Sequence, residues 1–435
     1  MDGLGQGGDT LKSARLAVLT DLFQRLHAEN LPYCHWKSND HLAASLAGDT
    51  DLDLLVQRQA SLHLVRILSE QGFKRFLGKG RGSPGIENFV GFDAATGRLA
   101  HLEIHYQLTL GEKFLKGYRL PWEELMLSTR QLDDDHGIYV ADPHLELLMV
   151  VIRAVMKLRT RDFLLTALGR PYTARSALQS LPWLAARVQG ERLLGLTERL
   201  VGPSAARILG DMLAGPSTLT QLLAFGRSAR PRLSAYRTYG PVEARLRRWI
   251  GEWRAVWGTL DSLIRRGPRR STHTPQGGLL AAFVGADGAG KSSLTRAVAA
   301  WLSEEAAVLA SYGGSAGGLG ARASVRGALA LAGTQRRRVV RARRARNRGL
   351  IVICDRWPQD QFADLNPPDL VLRLNVSPAV ALQRKPGTPI EQLQHQTETV
   401  RRLQYPAATC VVDIDADQSF EEVLLRVKRA VWDAI

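Results

Sequence analysis

FVGADGAGKSSL, residues 283–294, decides how the last third of this chain folds. The run Leu279–Val284 is short and apolar, as a parallel strand covered on both faces requires. It leads into Gly285-Ala-Asp287-Gly288-Ala-Gly290-Lys291-Ser292, which fills every fixed position of the pattern G-x-x-x-x-G-K-S/T. A helix is predicted over Ser293–Leu302. Glycines at this spacing let the backbone close around phosphate with its N–H groups pointing inward, and the helix N-terminus adds a positive end. In such a loop the lysine meets the β- and γ-phosphates and the hydroxyl ligates Mg²⁺. The expected cofactors are ATP and magnesium. The expected contacts are Gly285, Asp287, Gly288, Gly290, Lys291, Ser292 and Ser293.

Further along, the apolar run Leu350–Cys354 ends in Asp355-Arg356-Trp357. A carboxylate in that position sits at the carboxyl edge of a parallel sheet, beside a metal held by the loop. Asp355 is therefore expected to join Ser292 as a magnesium ligand, and Arg356 is placed to hold an acceptor phosphate.

Together these pieces resemble the thymidylate kinases. FVGADGAGKSSL is similar to their phosphate loop, and IVICDRW, residues 351–357, to their strand ending in Asp-Arg-aromatic. PPDLVLRLNVSPAVALQRK, residues 367–385, resembles the strand and helix before their lid. CVVDIDADQSFEEVLLRV, residues 410–427, resembles their last strand, adenine-side loop and final helix. The four motifs occur in the family's order and span residues 277–435. The resemblance implies an α/β P-loop kinase domain, a parallel sheet with helices on both faces, and an ATP-dependent phosphotransferase. It sets Asp287 toward the acceptor, Arg356 on the acceptor phosphate, and Arg384 and Lys385 at the transferring phosphoryl group. The base of ATP falls near Ala416–Gln418.

The departures fall on the acceptor side. Asn375 stands where the family often has an acid, and the lid, Lys385–Arg402, opens with Pro386-Gly387 and holds only Arg401 and Arg402 as arginines. Looser domains of this kind resemble proteins of surface-polysaccharide gene clusters. That likeness implies a sugar or sugar phosphate as acceptor in place of a nucleoside monophosphate.

Residues 321–348 carry ten arginines and no acid. The stretch TQRRRVVRARRARNRG, residues 334–349, reads as a helix with arginine on nearly every face. Two readings stand. One is a solvated helix packed on its Val339–Val340–Ala342 side. The other is a dock, through Arg336–Arg348, for an anionic polymer, nucleic acid or a membrane surface. No aromatics are interleaved for base stacking, which argues against reading of base sequence. With the second reading, the chain as a whole becomes a nucleotide-sensing binding protein.

A second constellation lies near the start, in Gly48-Asp-Thr-Asp51-Leu-Asp53-Leu-Leu-Val56. Strand residues i and i+2 share a face, so Asp51 and Asp53 are expected to project together. Two like carboxylates so close call for a divalent cation. Glu103, in LAHLEIH at residues 99–105, supplies a third. Three carboxylates on neighbouring strands suit metal-assisted nucleotidyl transfer. His101 and His105 read as structural. Residues 30–160 resemble the nucleotidyltransferase superfamily with the polymerase-β-type fold, an α+β architecture. Trp36-Lys37-Ser38 stands where that family has its Gly-Ser turn, which implies nucleotide contacts for Lys37 and Ser38.

Composition sets the frame. The chain has 435 residues, 45% of them apolar, enough for more than one core. Residues 1–140 hold 15 basic and 18 acidic side chains, and the rest hold 43 and 24. The net charge of +16 thus arises entirely beyond residue 140, which suits phosphate-rich ligands. Expected boundaries are a nucleotidyltransferase-like domain at 1–140, a helical connector at 141–266, a linker at 267–278 (GPRRSTHTPQGG) and the kinase-like domain at 279–435. The connector carries helical spacing in Leu145–Leu158, Glu191–Leu213 and Val242–Arg266. Cys34, Cys354 and Cys410 are far apart, which excludes a disulfide framework or thiolate metal site and reads as buried thiols of a reducing compartment. The start, MDGLGQGGDT, lacks the order of a secretion signal, and Leu145–Leu158 is too short and too charged to span a bilayer. The expectation is a cytoplasmic protein acting on a small-molecule phosphate acceptor.

Overall fold

The computed structural model describes residues 15–77, 85–112, 115–158, 162, 178–215, 218–240, 242–247, 249–251, 253, 274, 277–304, 306–312, 325–357 and 367–435, without side chains at 112 and 325–333. Contacts divide the chain into two compact units. The first is Met1–Phe73, Gly82–Gly91 and Ala100–Gly258; the second is Lys74–Arg81, Phe92–Leu99 and Thr259–Ile435. Most of the linker expected at 267–278, the glycine-rich stretch 313–320 and all of 254–266 lie outside the described residues.

The first unit is built on a mixed sheet. Its strands are β1 (Tyr33–His35), β2 (Leu52–Val56), β3 (Ile86–Phe92), β4 (Leu99–His105), β7 (Gln131–Asp133) and β8 (Ile138–Val140), running side by side as β3-β4-β2-β1-β8-β7. β5 (Leu108–Glu112) and β6 (Leu115–Leu120) form a separate antiparallel hairpin. β1 runs antiparallel to β2, and β2 runs parallel to β4 with Asp53 opposite Glu103. Every residue of β2 is buried. Its leucines enter the core with Leu19, Leu22 and Phe23 of α1 (Ala17–Ala28) and Leu64, Ile67 and Leu68 of α3 (Ser61–Glu70). The short α2 (Leu42–Leu46) and α4 (Glu123–Ser128) complete this part.

The helical stretch after residue 140 is no connector. α5 (Pro143–Lys157) starts where Asp142 caps the backbone N–H of His144, with Pro143 in the first turn, where its missing N–H costs nothing. Leu145, Leu148 and Ile152 of α5 share one core cluster with Cys34, Trp36 and Leu55 of the sheet region. The same cluster takes in Leu184 of α6 (Leu181–Ala185), Leu193 of α7 (Gly190–Val201), Leu209 of α8 (Pro203–Leu213), and Leu222 and Phe225 of α9 (Leu219–Ser234). A connector would have its own core, whereas this stretch completes that of the strands. The helical spacing over Glu191–Leu213 is carried by two helices, α7 and α8, because Gly202 takes a positive φ of 107° and Pro203 restarts the helix behind it.

The second unit holds a five-stranded, wholly parallel sheet: β9 (Leu280–Gly285), β10 (Val308–Tyr312), β11 (Ile351–Asp355), β12 (Leu370–Asn375) and β13 (Cys410–Asp415), ordered β10-β11-β9-β12-β13. Leu280, Ala281, Ala282, Phe283 and Val284 are all buried, so both alternating faces of the central strand are covered. The covering helices are α10 (Lys291–Ser303), α11 (Val325–Arg346), α13 (Ile390–Arg402) and α14 (Phe420–Ala434), with α12 (Pro378–Arg384) beside the loop. Val339 and Ala342 of α11 pack on Leu280, Ala282, Val352 and Cys354. Val400 of α13 packs with Val284 and Val371. α14 begins with a reciprocal cap between Ser419 and Glu422. Two thiols are buried as expected, and burial pushes that of Cys354 up to about 12. Cys410 is exposed instead, because it opens an edge strand paired on one side only. Among the described residues no helix is long and apolar enough to cross a membrane.

Candidate functional site

In the order β10-β11-β9-β12-β13 the direction of winding reverses at β9. Ligands of open parallel sheets bind outside the carboxyl ends of the strands at such a point. The loop after β9 occupies that place. Gly288 and Gly290 have φ of 83° and 85°, conformations that side chains rarely tolerate. A Cβ at Gly288 would also lie 2.6 Å from the carbonyl oxygen of Ala381, so the loop can pack against α12 only with glycine there. Gly290 caps α10, whose first residue is Lys291. Lys291 is only 6% exposed, and its ammonium donates to the carbonyl oxygens of Gly285 and Ala286 at 2.8 and 2.7 Å. Burial, reinforced by the nearby Arg356 charge, brings its pKa down to about 8. An anionic ligand would oppose that shift. Ser293 is exposed at the start of the same helix.

Asp355 ends β11, with its Cα opposite Phe283 of β9 and Tyr312 of β10. Its Oδ2 accepts a hydrogen bond from the Ser292 hydroxyl. Its Oδ1 is buried and has no hydrogen-bond partner. A buried carboxylate oxygen left open next to a serine hydroxyl is the hard oxygen donor set that magnesium takes. The residues therefore fit the expected metal, which Ser292 and Asp355 would hold.

Asp287 gathers the cations around the loop. Its carboxylate accepts from Arg356 Nη2 at 3.1 Å and Lys385 Nζ at 2.9 Å. Partial burial opposes its ionisation, but the Lys385 hydrogen bond and charge outweigh this and hold the carboxyl below its ordinary range. Arg356 sits at a positive φ of 70°, a strained backbone for a branchless but bulky side chain. Arg384 is placed differently from expectation. Its guanidinium donates to the carbonyl oxygens of Ala416 and Gln418, so it anchors the β13–α14 loop, and of the two neighbours only Lys385 reaches the phosphate loop, at Asp287. Gln396 of α13 accepts from the Asp287 backbone N–H at 2.9 Å and ties the expected lid to the loop. The sequence carried no sign of it, since a lone glutamine on a polar helix has no signature.

In the first unit, Asp53 and Glu103 come together as the parallel register dictates. The third member of the group is His105, not Asp51. One ligand atom each of Asp53, Glu103 and His105 lies within 4.8 Å of the others. His105 Nε2 is 3.2 Å from both carboxylates. Asp51 precedes β2 and is bonded to His101 Nδ1 at 2.8 Å. Two strand positions lie about 6.6 Å apart, so Asp51 pairs with the residue opposite itself. Lys37 Nζ is 2.6 Å from Asp53 and 3.4 Å from Glu103. Burial works against ionisation of Asp53, but the Lys37 ammonium and the His105 hydrogen bond overcome it and hold the carboxyl far below its usual range. Ser38 takes a positive φ of 60° in the turn that delivers Lys37. The three side chains suit a divalent cation, with Lys37 competing for the same oxygens.

The arginine helix divides into two sides. Arg343 and Arg346 turn inward, donating to the Pro367 carbonyl and to both oxygens of Asp369. Asp369 also accepts from the Leu280 backbone N–H, which locks the entry to β9. Arg337, Arg341, Arg344 and Arg348 are exposed at helical spacing.

No family model matches this chain, and no curated protein matches it. Among solved structures it is similar to a deoxyadenosine kinase from M. mycoides determined with bound dATP. The two are 15% identical over 35% of this chain and 98% of that one, with a TM-score of 0.27.

Proposed function

We propose that the second unit is an ATP- and Mg²⁺-dependent phosphotransferase acting on a small-molecule acceptor. The observation that carries this reading is the convergence of Lys291, Ser292 and the open oxygen of Asp355 at the carboxyl ends of β9 and β11. Phosphoryl transfer needs positioning and neutralisation of charge more than covalent chemistry. The glycine loop and the N-terminus of α10 would hold the β- and γ-phosphates, and Lys291 would leave its carbonyl partners for them. Ser292 and Asp355 would hold Mg²⁺, which neutralises the phosphate oxygens when bound. Arg356 and Lys385, gathered by Asp287, would meet the acceptor phosphate and the transferring group. The acceptor class is a nucleoside monophosphate, in the manner of thymidylate kinases, or a sugar or sugar phosphate. Transfer from radiolabelled ATP to these three sets of acceptors is the test. Lys291→Ala is expected to abolish it, and undiminished transfer would refute the assignment.

A second activity of the nucleotidyltransferase type in the first unit is supported by the apposition of Asp53 and Glu103. Pyrophosphate release that survives replacement of Asp51 and Asp53 by alanine would remove it. The alternative reading, a nucleotide sensor docked through its arginine helix, is favoured by the exposed row Arg337, Arg341 and Arg344. It requires tight ATP binding without acceptor-dependent turnover, and salt-sensitive binding to nucleic acid or anionic vesicles.

A further inference from the structure

The helical residues 242–247, 249–251 and 253 of the first unit carry an apolar face that is open to solvent. Val242, Leu246, Trp249 and Trp253 are 78%, 55%, 58% and 48% exposed. At 3.6 residues per turn, their spacing puts all four within about 60° of arc. The two indole rings meet edge to face, with centroids 5.8 Å apart and planes at 72°. Nine large apolar side chains are exposed among the described residues, and four of them stand on this one arc. Single exposed apolar side chains are ordinary, but a contiguous ridge of them marks a surface that meets another.

The charge beside the ridge selects its occupant. Arg245 and Arg247 are exposed on the same helical stretch. Arg247 is held by Glu243 at 2.8 Å and lies over the Tyr239 ring at 4.3 Å. Arg245 precedes Leu246 and borders the apolar arc. In sequence, residues 242–270 hold eight arginines against three acids. A second copy of the chain would set this positive charge against itself, which opposes pairing. Single-stranded nucleic acid stacks its bases on open ring faces. Half of this ridge is aliphatic, and its two rings are turned against each other. An anionic lipid surface answers each feature. Headgroup phosphates neutralise arginines, indoles settle at the boundary of headgroups and acyl chains, and aliphatic side chains enter the chains.

We propose that Val242, Leu246, Trp249 and Trp253 dock the chain on an anionic bilayer, the helix lying in the plane of the surface and Arg245 against lipid phosphate. This contact is separate from the exposed arginine row of α11 and does not depend on phosphoryl transfer by the second unit. Binding of this kind is reversible, and it grows with the apolar area buried and with the share of anionic lipid.

Flotation of the full chain with phosphatidylcholine vesicles, with and without phosphatidylglycerol, tests it. The chain is expected to float with the mixed vesicles and not with phosphatidylcholine alone. Trp249→Ser together with Trp253→Ser should weaken binding at least about tenfold, as withdrawal of two large apolar side chains implies. Both side chains are about half exposed, so the fold should persist, with an unchanged circular dichroism spectrum as the check. Trp249→Phe together with Trp253→Phe keeps most of the apolar area and should restore most of the binding. The serine pair should have the same effect in a chain carrying Arg337→Gln, Arg341→Gln and Arg344→Gln, which removes the arginine row of α11. The proposal is overturned if the chain floats with neither kind of vesicle, if it floats equally with both, or if the serine pair binds as the wild type does. It is also overturned if the serine pair leaves vesicle binding unchanged and instead abolishes self-association in sedimentation or binding of a single-stranded oligonucleotide.

Discussion

Replacing Lys291 by methionine separates the electrostatic cost of the phosphate loop from its chemistry. In the folded chain Lys291 is 6% exposed, and its pKa falls from 10.5 to about 8. Between those values the unfolded chain still binds the proton and the folded chain has released it. Stability therefore rises with pH across that window. The whole shift corresponds to about 3 kcal/mol, and the part gained between about pH 7 and about pH 9.5 is roughly 2 kcal/mol. The Lys291→Met variant has no such proton, so the difference in stability between the two proteins should move by that amount in favour of the wild type. Urea unfolding of both proteins at the two pH values measures it. ATP with Mg²⁺ should flatten the wild-type dependence, because a phosphate beside the ammonium restores its ordinary affinity for the proton. A difference that is the same at both pH values, or one that moves against the wild type, refutes the description of Lys291 as a buried cation awaiting an anion.

Two further outcomes bear on the first unit. Glu146 is buried, accepts from the backbone and side-chain amides of Asn39, and has its pKa raised to about 7. Its folded form binds a proton that the unfolded form has lost, so stability should fall by about 2 to 3 kcal/mol as pH rises from about 5 to about 8, and Glu146→Gln should remove that fall in denaturation measured across the range. Phe225→Ala, in the core cluster that also contains Cys34 and Leu55, should cost about 3–5 kcal/mol. Hydrogen exchange at Leu54–Val56 should accelerate with it; unchanged exchange there would show the helices to be a separate body.

Several features were legible in the residues alone. The glycine loop, the strand before it and the helix after it were, because their chemistry is local. Only glycine accepts the φ values at 288 and 290, and a lysine and serine one residue apart begin the helix. Asp355 was legible as a strand end for the same reason. The grouping of Asp53 with Glu103 was readable as two strands, but their register was not. Parallel pairing set Asp53 against Glu103, brought His105 into the group and left Asp51 to His101.

What the sequence determined by itself was the succession of elements and the loop that would meet phosphate, since both follow from neighbours within a few residues. What only the tertiary structure decided was which distant charges meet. Arg384 was drawn to the carbonyls of Ala416 and Gln418, and Gln396 to the backbone of Asp287. Those meetings depend on how helices and strands far apart in the chain pack over a shared core, and no local pattern encodes such distances.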